Sequence, residues 1–314
     1  MRDRKKILSA VWAVVLIGIS VLTVIPLLKL GIYDHPSADD FNYSIQTYRV
    51  WQETHSLGKV IGAAWSTSIR FWHTWQGLYA SAFVLALQPA IFGETYYALT
   101  VWLTVGTIYV SNLIFAEYVL HHKLRVSALS AMALAFAMSM VMVQWLPSAV
   151  QGLYWYNGAM NYTFFYGVLL LLIVGQISFY TPRKWWQYAL KVLAAFLLGV
   201  ILMGGNHVTA LCGLMTGILA CILAFLRKKR QPVIASLIVG AGMLTGFLIN
   251  VCSPGTSVRQ AYFTDRPGFF GTIAIAVKTG ILSINDWLGL GLFVCVAGML
   301  PLAMATAKKV SAER

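Results

Sequence analysis

The first 30 residues, MRDRKKILSAVWAVVLIGISVLTVIPLLKL (residues 1–30), decide the class of fold. Four basic side chains precede an apolar run that extends from Ile7 to about Leu30. A secretory signal peptide has an apolar core of roughly 7–15 residues and a cleavage site made of small residues. The run here is longer and ends in Pro26-Leu27-Leu28-Lys29. We therefore interpret it as a retained transmembrane helix that starts in the cytoplasm.

The composition extends this interpretation to the whole chain of 314 residues. Hydrophobic residues make up 59% of it and charged residues only 11%, whereas a soluble domain carries about 25% charged residues. A membrane-spanning helix needs about 20 mostly apolar residues. We therefore predict an all-α polytopic membrane protein, a single transmembrane domain over residues 1–314 with about eight transmembrane helices. The predicted spans are 7–30, 97–119, 126–146, 161–180, 187–204, 207–226, 233–252 and 285–305.

The net charge of +13 does not indicate a nucleic-acid partner, because the basic residues form short clusters between the apolar segments. If eight helices alternate across a bilayer, 16 of the 23 basic residues lie on the side of the N-terminus. Lysine and arginine concentrate in the cytoplasmic loops of membrane proteins. We therefore predict a multi-pass protein of the cell membrane with both termini in the cytoplasm. The four cysteines form no Cys-x-x-Cys pair, so neither a disulfide framework nor a zinc site is predicted.

Residues 33–96 are predicted to form one long external loop with interfacial helices. Its apolar run 77–92 has only 16 residues, which is short for a span, so we expect a helix that lies along the outer interface. A second short run, 271–283, is interpreted in the same way. Gly213-x-x-x-Gly217 and Gly242-x-x-x-Gly246 match the pattern of small residues at packed helix interfaces.

Unusual polar and aromatic residues gather in the predicted external connections, whereas the spans are mostly free of polar residues. A transporter would be expected to bury polar residues near the middle of broken helices. The pattern therefore favours a site that faces outward at the depth of the lipid headgroups. The stretches concerned are Asp39-Asp40, Trp72 to Tyr79, Trp155 to Tyr162, Gly204 to His207 and Ser253 to Arg259.

The adjacent carboxylates Asp39 and Asp40 are the leading candidates for chemistry, since acids beside a bilayer are costly and often functional. They could instead cap the helix predicted to start at Phe41. Asn157 and Asn161 could likewise cap the following span.

Other candidates in these stretches also have two interpretations. Trp72 and Trp75 would suit interfacial anchoring, and His207 could be structural. Arg259 follows a Pro-Gly turn, and its guanidinium suits either a phosphate or an ordinary interfacial position.

Taken together, these motifs resemble the GT-C class of integral-membrane glycosyltransferases, which includes protein O-mannosyltransferases and lipid A aminoarabinose transferases. They look most like an uncharacterised bacterial membrane-protein family of that type. The resemblance covers residues 34 to 259 and rests on four motifs in order. These are Ala38-Asp39-Asp40-Phe41, Trp75-x-Gly77-x-Tyr79, Trp155-x-x-Gly158-Ala159-x-Asn161-Tyr162 and Pro254-Gly255-Thr256-x-x-Arg259.

The resemblance implies transfer of a hexosyl or pentosyl group from a polyprenyl-phosphate-linked sugar to an external acceptor, such as a cell-envelope glycan. Asp39 or Asp40 would remove the proton from the acceptor hydroxyl, and one displacement would invert the anomeric centre. Arg259, with His207 and Asn161, would stabilise the departing phosphate. A divalent metal at Asp39 or Asp40 is an open alternative, although no dedicated ligand cluster stands out. The remaining substrate-binding candidates are Asn157, Trp155, Tyr162, Trp75 and Tyr79.

Two departures from the family pattern leave other functions open. Leu78 stands where a basic residue is expected, and the chain ends at Arg314 although family members are often longer. The acceptor-binding part would then be absent or supplied by a partner. The alternatives are a flippase or transporter of lipid-linked sugars, and a non-catalytic subunit of a glycan-assembly complex.

Overall fold

The computed structural model describes residues 2–181, 184–263 and 267–287, together with Phe293, Ala297 and Met299. These residues form α-helices joined by short 3-10 and π-helical turns, and none of them lies in a β-strand. The helices of the described chain are α1 (Arg2–Leu30), α2 (Asp39–Thr54), α3 (Leu57–Thr74), α4 (Tyr79–Leu85), α5 (Leu99–Ala116), α6 (Ala128–Gln144), α7 (Tyr156–Ser178), α8 (Trp185–Met203), α9 (His207–Leu226), α10 (Arg230–Val251), α11 (Pro254–Ala261) and α12 (Phe269–Trp287).

Six helical segments of the described chain are long and apolar enough to cross a membrane. They coincide with six of the eight predicted spans. The prediction at 126–146 corresponds to α6, whose 17 residues are fewer than a span usually needs. The prediction at 285–305 lies, beyond the end of α12, almost wholly outside the described residues. The six segments are Ile7–Tyr33, Glu94–Lys123, Tyr156–Ser178, Trp185–Met203, His207–Leu226 and Arg230–Val251.

These helices expose broad apolar surfaces that water would not stabilise. In α9, Leu211 is 59% exposed, Met215 63% and Phe225 73%. Exposing apolar surface to water costs about 25 cal/mol per Å², and contiguous exposed patches of this kind mark contact with lipid or protein. The chain is therefore a membrane-embedded helical protein, as its composition predicts.

The described residues group into two compact units. The first comprises the described residues within Met1–Leu27, Asn112–Ala149 and Ala261–Arg314. In this unit the N-terminal helix packs against α6 through small side chains, with Ala13 and Ala133 both fully buried. Ser20 Oγ also donates a hydrogen bond of 2.9 Å to the Phe136 carbonyl. Such contacts between small residues let two helix backbones approach closely in a bilayer.

The second unit comprises Leu28–Ser111 and Val150–Gln260, and its core lies among α7, α8, α9 and α10. The glycines predicted to mark helix packing lie in this core. A Cβ atom at Gly242 would lie 2.7 Å from the Phe196 ring, and one at Gly213 would lie 2.4 Å from Leu202. Neither position has room for a side chain, so the predicted packing role is confirmed.

The segment between the first two predicted spans folds as α2, α3 and the short α4. With seven residues, α4 is too short to cross a bilayer, as the prediction of an interfacial helix requires. Thr47 Oγ1 of α2 donates to the Ala86 carbonyl at 2.6 Å, and Ser68 Oγ of α3 donates to the Tyr79 carbonyl at 2.6 Å. These bonds fasten the middle of α2 to the end of α4, and α3 to the start of α4.

Candidate functional site

The second unit contains a cavity of about 380 Å³ at one end of helices α7–α10. The opposite ends of these helices carry the basic connections around Lys184 and Arg227 to Arg230. Eight of the ten predicted site residues line the cavity. They are Asp39, Trp75, Trp155, Asn157, Asn161, Tyr162, His207 and Arg259.

The two adjacent aspartates occupy different environments. Both lie in the first turn of α2, where successive side chains point about 100° apart. Asp39 is exposed and lines the cavity, whereas Asp40 is completely buried and does not line it. Within the described chain, the Asp39 carboxylate accepts no hydrogen bond and forms no ion pair. Asp39 is therefore the carboxylate that can meet a substrate.

Asp40 joins three parts of the second unit through hydrogen bonds to its carboxylate. It accepts from the Ser37 N–H at 3.1 Å, the Tyr97 hydroxyl at 2.5 Å and the Asn157 N–H at 3.1 Å. Burial raises the pKa of Asp40, and these hydrogen bonds oppose the rise. The Asn157 N–H belongs to the first turn of α7, whose N-cap residue Trp155 gives no side-chain cap. Asp40 thus caps α7 in place of a local side chain.

A hydrogen-bonded chain crosses the cavity wall from Arg259 to Tyr43. Arg259 Nη1 donates a hydrogen bond to Gln76 Oε1. Gln76 Nε2 in turn donates to the Tyr43 hydroxyl at 2.9 Å. Arginine can only donate, which fixes the orientation of the Gln76 amide. Burial raises the pKa of Tyr43 to about 12, so its phenol keeps its proton at neutral pH.

The Arg259 side chain is further positioned by an aromatic ring. Its guanidinium carbon lies 5.6 Å from the centre of the Trp75 ring, a cation–π distance. Arg259 forms no ion pair with a carboxylate among the described residues, although Asp39 lines the same cavity. Its charge therefore remains available to an anionic group.

Asn161 forms hydrogen bonds within the site, whereas the side-chain oxygen of Asn157 forms none. Asn161 Oδ1 accepts from Ser81 Oγ at 2.5 Å, and the Asn161 carbonyl accepts from Asn206 Nδ2 at 2.8 Å. Asn157 Oδ1 is buried and has no hydrogen-bond partner. A buried acceptor without a partner is uncommon. Asn157 lines the cavity, so a rotation of its side chain would bring this acceptor to a ligand.

The first turn of α9 presents His207 to the cavity. Asn206 is the N-cap residue of this helix, and its Oδ1 accepts the Thr209 N–H at 2.9 Å. His207 follows it, is exposed and lines the cavity. The N-terminal end of a helix favours negative charge, so Arg259 and this helix end together give the cavity an anion-attracting wall.

Glycines of the predicted motifs let backbone segments meet around the cavity. A Cβ atom at Gly77 would lie 1.8 Å from the Asn250 carbonyl oxygen. One at Gly255 would lie 2.5 Å from the Trp75 backbone nitrogen. The loop between α3 and α4 therefore packs directly on the end of α10 and the start of α11, the helix that carries Arg259.

Tyr79, a predicted substrate-binding residue, and Leu78, which replaces an expected basic residue, both have packing roles. The Tyr79 hydroxyl donates to the Val200 carbonyl at 2.5 Å, and its ring fills the space beside Gly204. Tyr79 does not line the cavity, and its contacts are those of a packing residue rather than of a substrate-binding one. Leu78 is buried and forms part of the cavity wall, so this position contributes no charge.

Three polar residues of the cavity were not among the sequence candidates: Tyr43, Gln76 and Asn206. All three lie within or beside the motif stretches, and Gln76 stands between Trp75 and Gly77. Nothing in the sequence distinguishes their polar groups from ordinary surface or capping groups. Comparison of the chain with protein-family models, with curated proteins and with solved structures found no match. What the cavity does is therefore inferred from its own chemistry.

Proposed function

We propose that this protein is a membrane glycosyltransferase of the GT-C type, which moves a sugar from a polyprenyl-phosphate donor to an extracytoplasmic envelope acceptor. The observation that carries the proposal is the cavity lined by both the Asp39 carboxylate and the Arg259 guanidinium, neither of which forms an ion pair among the described residues. Glycosyl transfer from a lipid phosphate needs both, since the acceptor must lose a proton while a phosphate gains negative charge.

Asp39 is proposed as the general base of this reaction. Its carboxylate takes the proton from the acceptor hydroxyl as that oxygen attacks the anomeric carbon. The bond from the anomeric carbon to the phosphate oxygen breaks in the same displacement, so the anomeric centre is inverted. Arg259 and the first turn of α9 receive the charge of the departing polyprenyl phosphate.

The sugar itself is proposed to lie among the aromatic and amide groups of the cavity. Trp75, Trp155 and Tyr162 offer flat apolar faces for a sugar ring. Asn157 Oδ1, buried and without a partner, accepts a sugar hydroxyl once its side chain rotates toward the cavity. Asp40 acts as a positioning residue, because its hydrogen bonds hold the start of α2 against α7 and thereby fix the backbone beside Asp39.

The membrane geometry of the helices suits a lipid-linked donor. The cavity and the basic connections lie at opposite ends of α7–α10, so the rule of positive cytoplasmic loops assigns the cavity to the outer face. In this arrangement both termini are cytoplasmic, about eight spans cross the bilayer, and the polyprenyl tail lies against the exposed apolar helix faces.

A divalent metal finds few ligands in this cavity. Among the described residues that line it, Asp39 is the only carboxylate, and Asp40 already accepts three hydrogen bonds. Hard divalent cations prefer several oxygen ligands. The residues present do not fit such an ion, and the proposed chemistry uses none.

The proposal is tested with purified full-length protein in lipid and a panel of radiolabelled polyprenyl-phosphate sugars offered with envelope glycans. We expect one donor to release polyprenyl phosphate with wild type. With Asp39→Asn, the rate is expected to fall at least about 100-fold. The matched control is Glu53→Gln, an exposed acid of α2 outside the cavity, which is expected to act like wild type.

Other outcomes would point to the alternative functions. Movement of intact lipid-linked sugar across the membrane without cleavage would support a flippase or transporter. Binding of such lipids with neither cleavage nor movement, in wild type and Asp39→Asn alike, would support a non-catalytic subunit of a glycan-assembly complex.

A further inference from the structure

The first unit contains a π-helical turn, Glu117–Lys123, that continues directly from α5. In this turn the Leu124 N–H donates to the Val119 carbonyl at 3.0 Å, five residues earlier. π-helical turns are rare and often occur at functional sites. The wider turn brings Glu117, His121 and His122 to one side of the chain.

The metal-binding atoms of these three side chains already lie close together. His122 Nε2 is 3.4 Å and His121 Nε2 is 4.0 Å from Glu117 Oε1. One ligand atom from each residue lies within 4.8 Å of the others. Zinc bonds of about 2.0–2.2 Å in a tetrahedron separate neighbouring ligands by roughly 3.3–3.6 Å. One separation fits directly, and small side-chain rotations bring in the rest.

The His121 ring is held in the tautomer that a metal requires. Its Nδ1 lies 2.7 Å from the Val126 carbonyl oxygen. A carbonyl can only accept, so Nδ1 carries the hydrogen. In the neutral ring, Nε2 therefore keeps its lone pair and faces Glu117. Metal-binding histidines almost always have such a partner on their second nitrogen.

We propose that Glu117, His121 and His122 bind a divalent transition-metal ion of the zinc type. Two imidazoles and one carboxylate form a ligand set that zinc uses with an open fourth position. All three residues are at least partly exposed, so an ion can reach them. The site belongs to the first unit and is independent of the proposed glycosyl transfer.

The described chain offers a matched control for this proposal. His35 Nδ1 lies 3.2 Å from Glu94 Oε1 in another exposed pair, and no third metal ligand joins them among the described residues. If Glu117 only formed ordinary ion pairs with protonated histidines, the two clusters would behave alike toward metal. If the three-ligand geometry creates a site, only the cluster on the π-helical turn would bind tightly.

The test uses full-length protein in detergent, purified with a tag that contains no histidine and stripped of metal. Cobalt(II) is titrated in and followed by visible absorption, and zinc(II) is then used to displace it. We expect one saturable site in wild type and in His35→Ala. His122→Gln and Glu117→Gln each remove a direct ligand. They are expected to weaken binding more than about 10-fold, the smallest loss typical of an outer-shell partner.

A second readout separates loss of a ligand from loss of fold. Zinc is expected to raise the melting temperature of wild type and His35→Ala, but not that of His122→Gln, whereas the metal-free melting temperatures stay similar. Absence of saturable binding in wild type would overturn the proposal. Equal binding by wild type and His122→Gln, or an equal loss in His35→Ala, would overturn it as well.

Discussion

The Asp34 carboxyl group is partly buried, and only one of its two oxygens has a hydrogen-bond partner. Its Oδ2 is buried and has no hydrogen-bond partner, while Oδ1 accepts the His35 N–H at 3.1 Å. Burial raises the pKa of Asp34 from 3.8 to about 6. The folded protein therefore binds a proton that the unfolded chain releases between these two pH values.

This difference predicts a stability change with pH. The contribution of protonated Asp34 is fully present below about pH 4 and is lost as the pH rises through 6. After allowance for solvent screening, the loss is on the order of 1 kcal/mol. Asp34→Asn has no such loss. The melting temperature of Asp34→Asn minus that of wild type should therefore increase from pH 4 to pH 6. Asp40 is present in both proteins, so its own contribution to the pH dependence largely cancels in this difference. A difference that stays constant with pH would contradict this assignment.

At the scale of single residues, the sequence could predict the chemical types of the site but not their roles. Asp39 and Asp40 are equivalent as letters, and only the direction of each side chain from α2 separates them. Gln76 could not be identified, because a glutamine beside a tryptophan is ordinary until Arg259, 183 residues away, meets it.

At the scale of elements, Asp40 links α2 to α7, and its replacement should loosen that link. Asp40→Asn puts an amide N–H₂ toward groups that already donate, and at least one charge-assisted hydrogen bond is lost. We expect a fall of about 2–3 kcal/mol in the free energy of unfolding. Thermal unfolding in one detergent measures it. Asp39→Asn is the matched control and should unfold like wild type. Equal melting temperatures of the two variants would contradict the capping role.

The α3–α4 loop packs closely on the end of α10 through Gly77. A side chain at Gly77 would collide with the Asn250 backbone, whereas the region around Gly62 within α3 is open. Gly77→Ala should therefore lower the melting temperature and disturb the cavity. Gly62→Ala should leave it unchanged or raise stability by up to about 1 kcal/mol. Similar effects of the two substitutions, measured by thermal unfolding, would argue against this packing.

Hydrophobic runs and their lengths predict most helices of the described chain, because burial in lipid needs a continuous apolar stretch. Two features depend on contacts between distant residues and could not be predicted this way. The capping of α7 by Asp40 joins positions 117 residues apart. The π-helical turn at Glu117–Lys123 changes the register of the helix, so the spacing of Glu117, His121 and His122 looks unremarkable in the sequence.

At the scale of the whole molecule, the charge distribution predicts the orientation in the membrane. In a cysteine-free background, Ser257→Cys on α11 should react with a membrane-impermeant maleimide in intact cells. Lys184→Cys, at the basic end of α8, should react only after the membrane is permeabilised. Both positions are exposed, so access to the reagent decides the result. The reverse labelling pattern would contradict the proposed external cavity.

Donor binding and donor cleavage by Asp39→Asn, measured on the same purified sample, test the proposed function most directly. If Asp39 is the base, the variant binds the polyprenyl-phosphate sugar as tightly as wild type. It then releases polyprenyl phosphate at least about 100-fold more slowly. Cleavage at the wild-type rate by this variant would contradict the role of Asp39 as the base. A wild-type protein that binds the donor and, with acceptor present, never cleaves it would contradict the proposed function itself.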